Sequence, residues 1–260
     1  MRARGYKPFG SNTEQDALLD RIIALAQPGT VAVLDLDGCL FDTRYRQAAI
    51  YREFGAQSGY PEFFHVTPES FINWDLKRPL RKVGMSMERL DAIYPEFEQF
   101  WRKCFFSDAY VQLDSAMPGA VDLVRACYER GQTIVYLTGR DHNMRAGTEH
   151  GLRLFGFPYD QDDIAEGRTL LITKPEFNMH DTTYKVAAMA QIQEMGKIVV
   201  LIDNEPANIN AFHQGLPEAL SVFIETDHSF RKDRPHSEIP RLRSFYRSTW
   251  FGAQEADLLP

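Results

Sequence analysis

Residues 31–43 read Val-Ala-Val-Leu-Asp-Leu-Asp-Gly-Cys-Leu-Phe-Asp-Thr. An apolar run, Val31 to Leu34, ends in two carboxylates, Asp35 and Asp37, with one residue between them. Four apolar residues, two of them valine, fit a strand buried on both faces, as in a parallel sheet. A strand's period of two puts Asp35 and Asp37 on one side if it stays regular that far. Gly38 then lets the chain turn away sharply. Two like charges at a buried strand end are costly without a cation or a shared proton. Magnesium, which prefers hard oxygen ligands, is the simplest remedy.

The rest of the chain has two textures. Residues 43–115 are rich in aromatics and charge and contain no convincing buried strand. Thr43 to about Gly55 reads as a helix. Ser86 is placed to cap another carrying Met87, Leu90, Tyr94, Phe97, Trp101 and Cys104, which Pro95 should kink or split. The aromatics read mainly as core, and Lys77, Arg78, Arg81 and Lys82 as solvated surface or a meeting point for an anion. From Met117 onward, helices alternate with strands at Thr133–Leu137, Leu170–Ile172, Ile198–Ile202 and Leu220–Ile224. Alternation implies a parallel sheet with right-handed crossovers. The expected fold is therefore a Rossmann-like α/β sheet flanked by helices. Its core would comprise residues 1–42 and 116–260, with residues 43–115 a mainly helical insertion. A polar lead-in, an N-cap at Ser11 to Thr13, and an irregular basic tail over 229–247 packing through Ile239, Leu242, Phe245 and Tyr246 complete the expectation.

Ligands of open parallel sheets bind beyond the carboxyl ends of the strands. Those ends carry Asp35 and Asp37, then Thr138-Gly139-Arg140, then Thr173-Lys174, then Asp203-Asn204-Glu205. Polar groups at four successive strand ends point to one site.

The Asp35-Leu36-Asp37-Gly38-Cys39-Leu40-Phe41-Asp42-Thr43 stretch resembles the first motif of the haloacid dehalogenase-like (HAD) hydrolase superfamily. Tyr136 to Arg140 is similar to its second motif and Leu201 to Asn208 to its fourth. The resemblance implies a HAD-type core with a cap after the first motif, Mg2+ as cofactor and a small phosphorylated substrate. Asp35 would be nucleophile and metal ligand. Asp37 would be general acid, then base, lending its backbone carbonyl to the metal. Thr138 and Gly139 would hold phosphoryl oxygens, and Arg140 either substrate or a structural ion pair. Lys185 looks like the family's helix-borne lysine, with Lys174 the competing candidate that otherwise binds substrate. Asp203 would be a metal ligand whose partner is Asn204, Glu205 or Asn208, since the usual second acid is missing. An acid at Asp37 speaks for a phosphatase working through an aspartyl-phosphate. A phosphotransferase or phosphomutase of the same superfamily is the alternative, and a non-catalytic binding protein a more distant one.

Composition narrows the partners. A net charge of −7 gives no support for general nucleic-acid binding. No run of 18 apolar residues predicts a membrane span, and the first residues lack the apolar core of a signal peptide. Cys39, Cys104 and Cys127 are scattered, without metal-site spacing, which fits reduced thiols and a cytoplasmic protein.

Overall fold

The computed structural model describes residues 12–72, 74–228 and 233–247. The polar lead-in, the Ser11 cap and residues 229–232 of the tail lie outside these. In chain order the elements are helix α1 (Asn12–Ala24), strand β1 (Thr30–Leu34), strand β2 (Phe41–Asp42) and helix α2 (Arg44–Ser58). Helices α3 (Lys77–Lys82), α4 (Met87–Phe105) and α5 (Asp108–Val111) follow, then β3 (Ser115–Ala116). Next come α6 (Ala120–Glu129), β4 (Thr133–Asp141), α7 (Arg145–Phe155), α8 (Gln161–Ala165) and β5 (Thr169–Lys174). The chain continues through α9 (Asp181–Gln193), β6 (Lys197–Asp203), α10 (Pro206–Gly215), β7 (Leu220–Ile224) and β8 (Arg241–Leu242).

Six strands form one parallel sheet in the order β5-β4-β1-β6-β7-β8. The Rossmann-like α/β class read from the sequence is the one observed. β1 is central and buried throughout. Alternate residues serve opposite layers. Ala32 and Leu34 pack with Leu19 and Ile22 of α1 and Leu123 and Val124 of α6. Val31 and Val33 pack with Ala188 and Ile192 of α9 and Ile209 and Phe212 of α10. After β1 the chain builds β4 and β5 on one side of it, then returns to build β6, β7 and β8 on the other. Such a reversal opens a crevice at the carboxyl ends of the central strands.

A third apolar cluster draws only on residues 48–105, among them Tyr51 and Phe54 of α2 and Leu90, Phe97 and Trp101 of α4. The Tyr51 hydroxyl satisfies itself by donating to the Leu76 carbonyl at 2.6 Å. Ser86 caps α4, accepting from the Arg89 N–H at 3.4 Å. α4 runs through Pro95 as one helix rather than splitting. Its face of Leu90, Ile93, Phe97 and Trp101 is buried, and burial offsets the hydrogen bond that proline cannot donate. The antiparallel pair β2–β3 ties the entry of this segment to its exit.

Three boundaries differ from expectation. β4 extends to Asp141, so Thr138, Gly139 and Arg140 sit within the strand, in the break of register between the Leu137–Ile172 and Asp141–Lys174 pairs, rather than after it. Lys174 closes β5 instead of following it. The tail is not wholly irregular: Arg241–Leu242 adds β8 beside β7, while Ile239, Leu242 and Phe245 are buried and Tyr246 only partly so. Among the described residues, no helix is long and apolar enough to cross a membrane.

Candidate active site

The site grows from the turn after β1. Gly38 has φ +73°, and a Cβ there would fall 2.3 Å from Asn204 Nδ2. Glycine is thus required both by backbone conformation and by the close approach of the β6 loop. The Thr226 hydroxyl donates to the Gly38 carbonyl, and Asn204 Nδ2 donates to the Asp227 carbonyl at 2.5 Å. These bonds bind the β1, β6 and β7 loops together.

A pocket of about 250 Å3 opens there, lined by Asp35, Asp37, Gly139, Arg140, Lys185, Asp203, Asn204, Glu205, Asn208 and Asp181, with Trp74, Phe105, Phe106 and Met144. A larger groove, about 530 Å3, lies at the opposite end of the strands and contains none of these residues. Of its arginines, Arg125 donates to the Gly156 carbonyl and Arg168 pairs with Asp163.

Two largely buried charge clusters contribute to the pocket's lining. In the first, Lys185 on α9 reaches Asp35 Oδ1 at 2.6 Å and Asp203 Oδ2 at 2.8 Å. Burial pushes the Asp35 carboxyl up to about 7, against the pull of Lys185, with the Asp203 charge adding to the rise. Burial acts to lower the Lys185 ammonium, but the charges of Asp203 and Asp35 outweigh it and raise its pKa. Asp203 also accepts the Glu205 N–H at 2.7 Å and Asn208 Nδ2 at 3.1 Å. The Thr182 hydroxyl donates to Asn208 Oδ1 at 2.7 Å and so aims that amide. Of the three partners considered for Asp203, Asn208 touches its carboxylate through a side chain, Glu205 through its backbone, and Asn204 turns to Asp227.

In the second cluster, Asp37 is held by Arg140 and Arg46, with Nη2 to Oδ1 distances of 2.6 and 2.7 Å. Asp114 completes it, pairing with Arg140 at 2.7 Å and Arg46 at 2.9 Å. Burial alone would raise the Asp37 carboxyl. Arg140 and Arg46 overcome that and hold it well below the usual carboxylate range. Asp114, more deeply buried, is pushed up to about 6 despite the same two arginines.

Other candidates lie less directly on the pocket. The Thr138 hydroxyl is fully buried and accepts the Arg140 N–H at 3.2 Å. Lys174 reaches the site only through Asp181, at 2.7 Å, and also bonds the Met179 carbonyl. Lys77 and Arg81 pair with Asp91 and Asp75, and neither lines the pocket. Nothing in the sequence singles out Arg46 or Asp114. A lone arginine in a helix carries no signal of burial, and its partner lies in another segment. Trp74, Phe105 and Phe106 do more than fill a core, since they wall the pocket.

The donor set suits a hard divalent cation. Asp35 and Asp203 are buried carboxylates sharing one ammonium, an excess of negative charge, and the surrounding groups are oxygens and amides. Cys39 is buried with its thiol directed at the Ile202 carbonyl. Among the described residues, no three His, Cys, Asp or Glu side chains gather as a metal group. A cation here would rely on two carboxylates plus main-chain, amide or water oxygens.

Comparison with solved structures finds the same fold at low identity. A candidate phosphatase from Clostridium difficile is 14% identical with a TM-score of 0.54, covering 90% of this chain and 99% of that one. Protein tyrosine kinase A of Mycobacterium tuberculosis is 15% identical with a TM-score of 0.50, covering 83% and 93%. No curated protein matches the chain. Residues 96–229, just over half of the sequence, match the family described as HAD superfamily, subfamily IIIB (acid phosphatase). That segment carries Thr138, Lys185 and Asp203, while Asp35 and Asp37 precede it. The chain is a hydrolase that belongs to the HAD superfamily, subfamily IIIB.

Proposed function

We propose that the protein is a magnesium-dependent phosphatase that hydrolyses a small phosphorylated metabolite through an aspartyl-phosphate on Asp35. Residues 43–115 act in this reading as a helical cap over the core formed by 1–42 and 116–260. The observation that carries it is the meeting of Asp35, Asp37, Gly139, Lys185 and Asp203, from the ends of three strands and one helix, around a single pocket. A scaffold without chemistry has no use for two buried carboxylates on one lysine.

Asp35, Asp203 and the Asp37 carbonyl would hold Mg2+, which supplies the positive charge that lets an anionic nucleophile approach an anionic phosphoryl group. Lys185 orients Asp35 and offsets charge on the phosphoryl oxygens. The Gly139 N–H and Thr138 hydroxyl are the candidate donors to those oxygens. Asp35 attacks phosphorus, the bond from phosphorus to the leaving oxygen breaks, and that oxygen takes a proton from Asp37. Water then attacks the aspartyl-phosphate and gives its proton to Asp37. The guanidinium partners of Asp37 favour its carboxylate, the form this second half requires. Trp74, Phe105 and Phe106 supply an apolar wall that limits water around the reacting groups. Cys39, Cys104 and Cys127 are buried and unpaired, consistent with a reducing compartment, the cytoplasm.

A screen of phosphorylated metabolites with magnesium tests this reading. Phosphate release from at least one class is expected, abolished by chelation and by Asp35→Asn. Equal release from wild type and that variant would overturn it.

A further inference from the structure

Arg46 is unusual among the cations of this molecule. Its side chain is 0% exposed, yet it sits on the first turn of α2, where the chain has just left the sheet. Four groups surround it. Nη2 meets Asp37 Oδ1 at 2.7 Å and Nη1 donates to the Phe105 carbonyl at 2.9 Å. Nε lies 2.9 Å from Asp114 Oδ1, an ion pair off the line a hydrogen bond needs. The guanidinium carbon stands 3.9 Å over the Phe105 ring. Asp114, just before β3, holds Arg46 and Arg140 together from behind, and the Thr148 hydroxyl lies 3.0 Å from Arg140 Nη1.

Burying two arginines and two aspartates costs more desolvation than an apolar filling of the same volume. The cluster is therefore poorly explained as a stability device. What it does achieve is geometric. Both Asp37 oxygens are engaged, Oδ1 by the two Nη2 atoms and Oδ2 by Arg140 Nε at 3.1 Å. The carboxylate keeps 21% exposure, on the pocket it lines. Arg46 also grips the carbonyl of Phe105, a wall residue of the same pocket, so one guanidinium links the Asp37 rotamer to the seating of segment 43–115.

We propose that Arg46 and Asp114 are positioning residues that hold Asp37 for the hydrolytic half-reaction. The inference rests on the aspartyl-phosphate reading above. In that half-reaction a water oxygen forms a bond to phosphorus and its proton passes to Asp37. The bond from phosphorus to the Asp35 oxygen breaks, returning the Asp35 carboxylate and releasing inorganic phosphate. A displacement of Asp37 by about 1 Å would slow this step by about a hundredfold. The first half, with a leaving group that needs no proton, would be spared.

The test is pre-steady-state kinetics with 4-nitrophenyl phosphate and Mg2+, with acid quench to count phosphoenzyme. Arg46→Lys and Asp114→Asn are compared with wild type and with Asp37→Asn. Both positioning variants are expected to release about one nitrophenol per site in a burst, then turn over about ten- to a hundredfold more slowly than wild type, with phosphoenzyme accumulating as in Asp37→Asn. An unfolded fraction lowers burst and steady rate equally, so their ratio separates position from folding. If the ratio stays at the wild-type value and no phosphoenzyme accumulates in Arg46→Lys or Asp114→Asn, the inference is overturned while the function stands. If neither wild type nor Asp37→Asn forms phosphoenzyme or nitrophenol, both fall together.

Discussion

The two charge clusters at the pocket are both largely buried but differ in balance. Around Lys185 one cation serves two carboxylates, Asp35 and Asp203. Around Asp37 two guanidiniums serve two carboxylates. The first is short of positive charge, a deficit that the proposed divalent ion would fill. The second is complete as it stands and needs nothing but its own geometry. A deficit marks where a ligand's charge is to be received. A closed balance marks where a side chain is to be kept still. Electrostatics alone would thus separate the proposed nucleophile, Asp35, from the proposed acid–base residue, Asp37.

Substitution can break the contrast. Asp35→Asn should remove turnover entirely, since no other oxygen stands in its place. It should not destabilise the metal-free protein, because Lys185 keeps Asp203 and one repulsion disappears. Asp37→Asn should lower turnover by about 10²–10⁴-fold and also cost about 3–5 kcal/mol, because Arg46 and Arg140 are left sharing one anion. Thermal melts beside activity assays check both. Equal destabilisation by the two variants would show that the clusters do not differ as described.

The lysines sharpen it further. Lys185→Ala leaves Asp35 and Asp203 facing each other without a counter-charge, and a loss of about 10²–10³-fold in kcat is expected. Lys174→Ala breaks a pair whose acid, Asp181, is 53% exposed, so its cost should stay near 0–1 kcal/mol. Side-by-side kinetics of the two variants decide which lysine serves the nucleophile. A larger loss at Lys174 would reverse the assignment.

What sequence made legible follows the same divide. β1 and the Asp35–Asp37 turn are local, so periodicity and one glycine sufficed. The meeting of the β1, β4 and β6 ends follows from the parallel sheet, while the β5 end reaches the pocket only through the Lys174–Asp181 pair; resemblance to the family's helix-borne lysine is what ranks Lys185 ahead of Lys174. The balanced cluster was invisible because it is assembled across long separations, Arg46 with Asp114 and Asp37 with Arg140. Nothing near Arg46 distinguishes it from a solvated arginine. β8 is not legible in the sequence because two residues carry no alternation, and its pairing with β7 is decided by tertiary packing. Pro95 does not split α4, as local propensity gives way to the helix's buried face.

The smallest effect is the most specific to the deficit. The Asp35 carboxyl sits at about 7 in the folded protein against 3.8 for an ordinary aspartate. The folded state therefore holds a proton that the unfolded state has lost between about pH 4 and 7, and metal-free stability falls as pH rises through that window. Asp114, raised to about 6, adds a slope of the same sign that ends sooner. Asp37, held low, works in the opposite sense and only in more acid solution. Under the proposed function magnesium would compete with the proton on Asp35 and would have no place in the Asp114 cluster. Its stabilisation should be greater at pH 7.5 than at pH 5, by a few degrees in Tm at millimolar concentration. In Asp35→Asn the metal-dependent part should vanish and the Asp114 slope survive. A magnesium shift that is the same at both pH values, or that persists in Asp35→Asn, would mean that the cation is not received by the cluster that lacks charge.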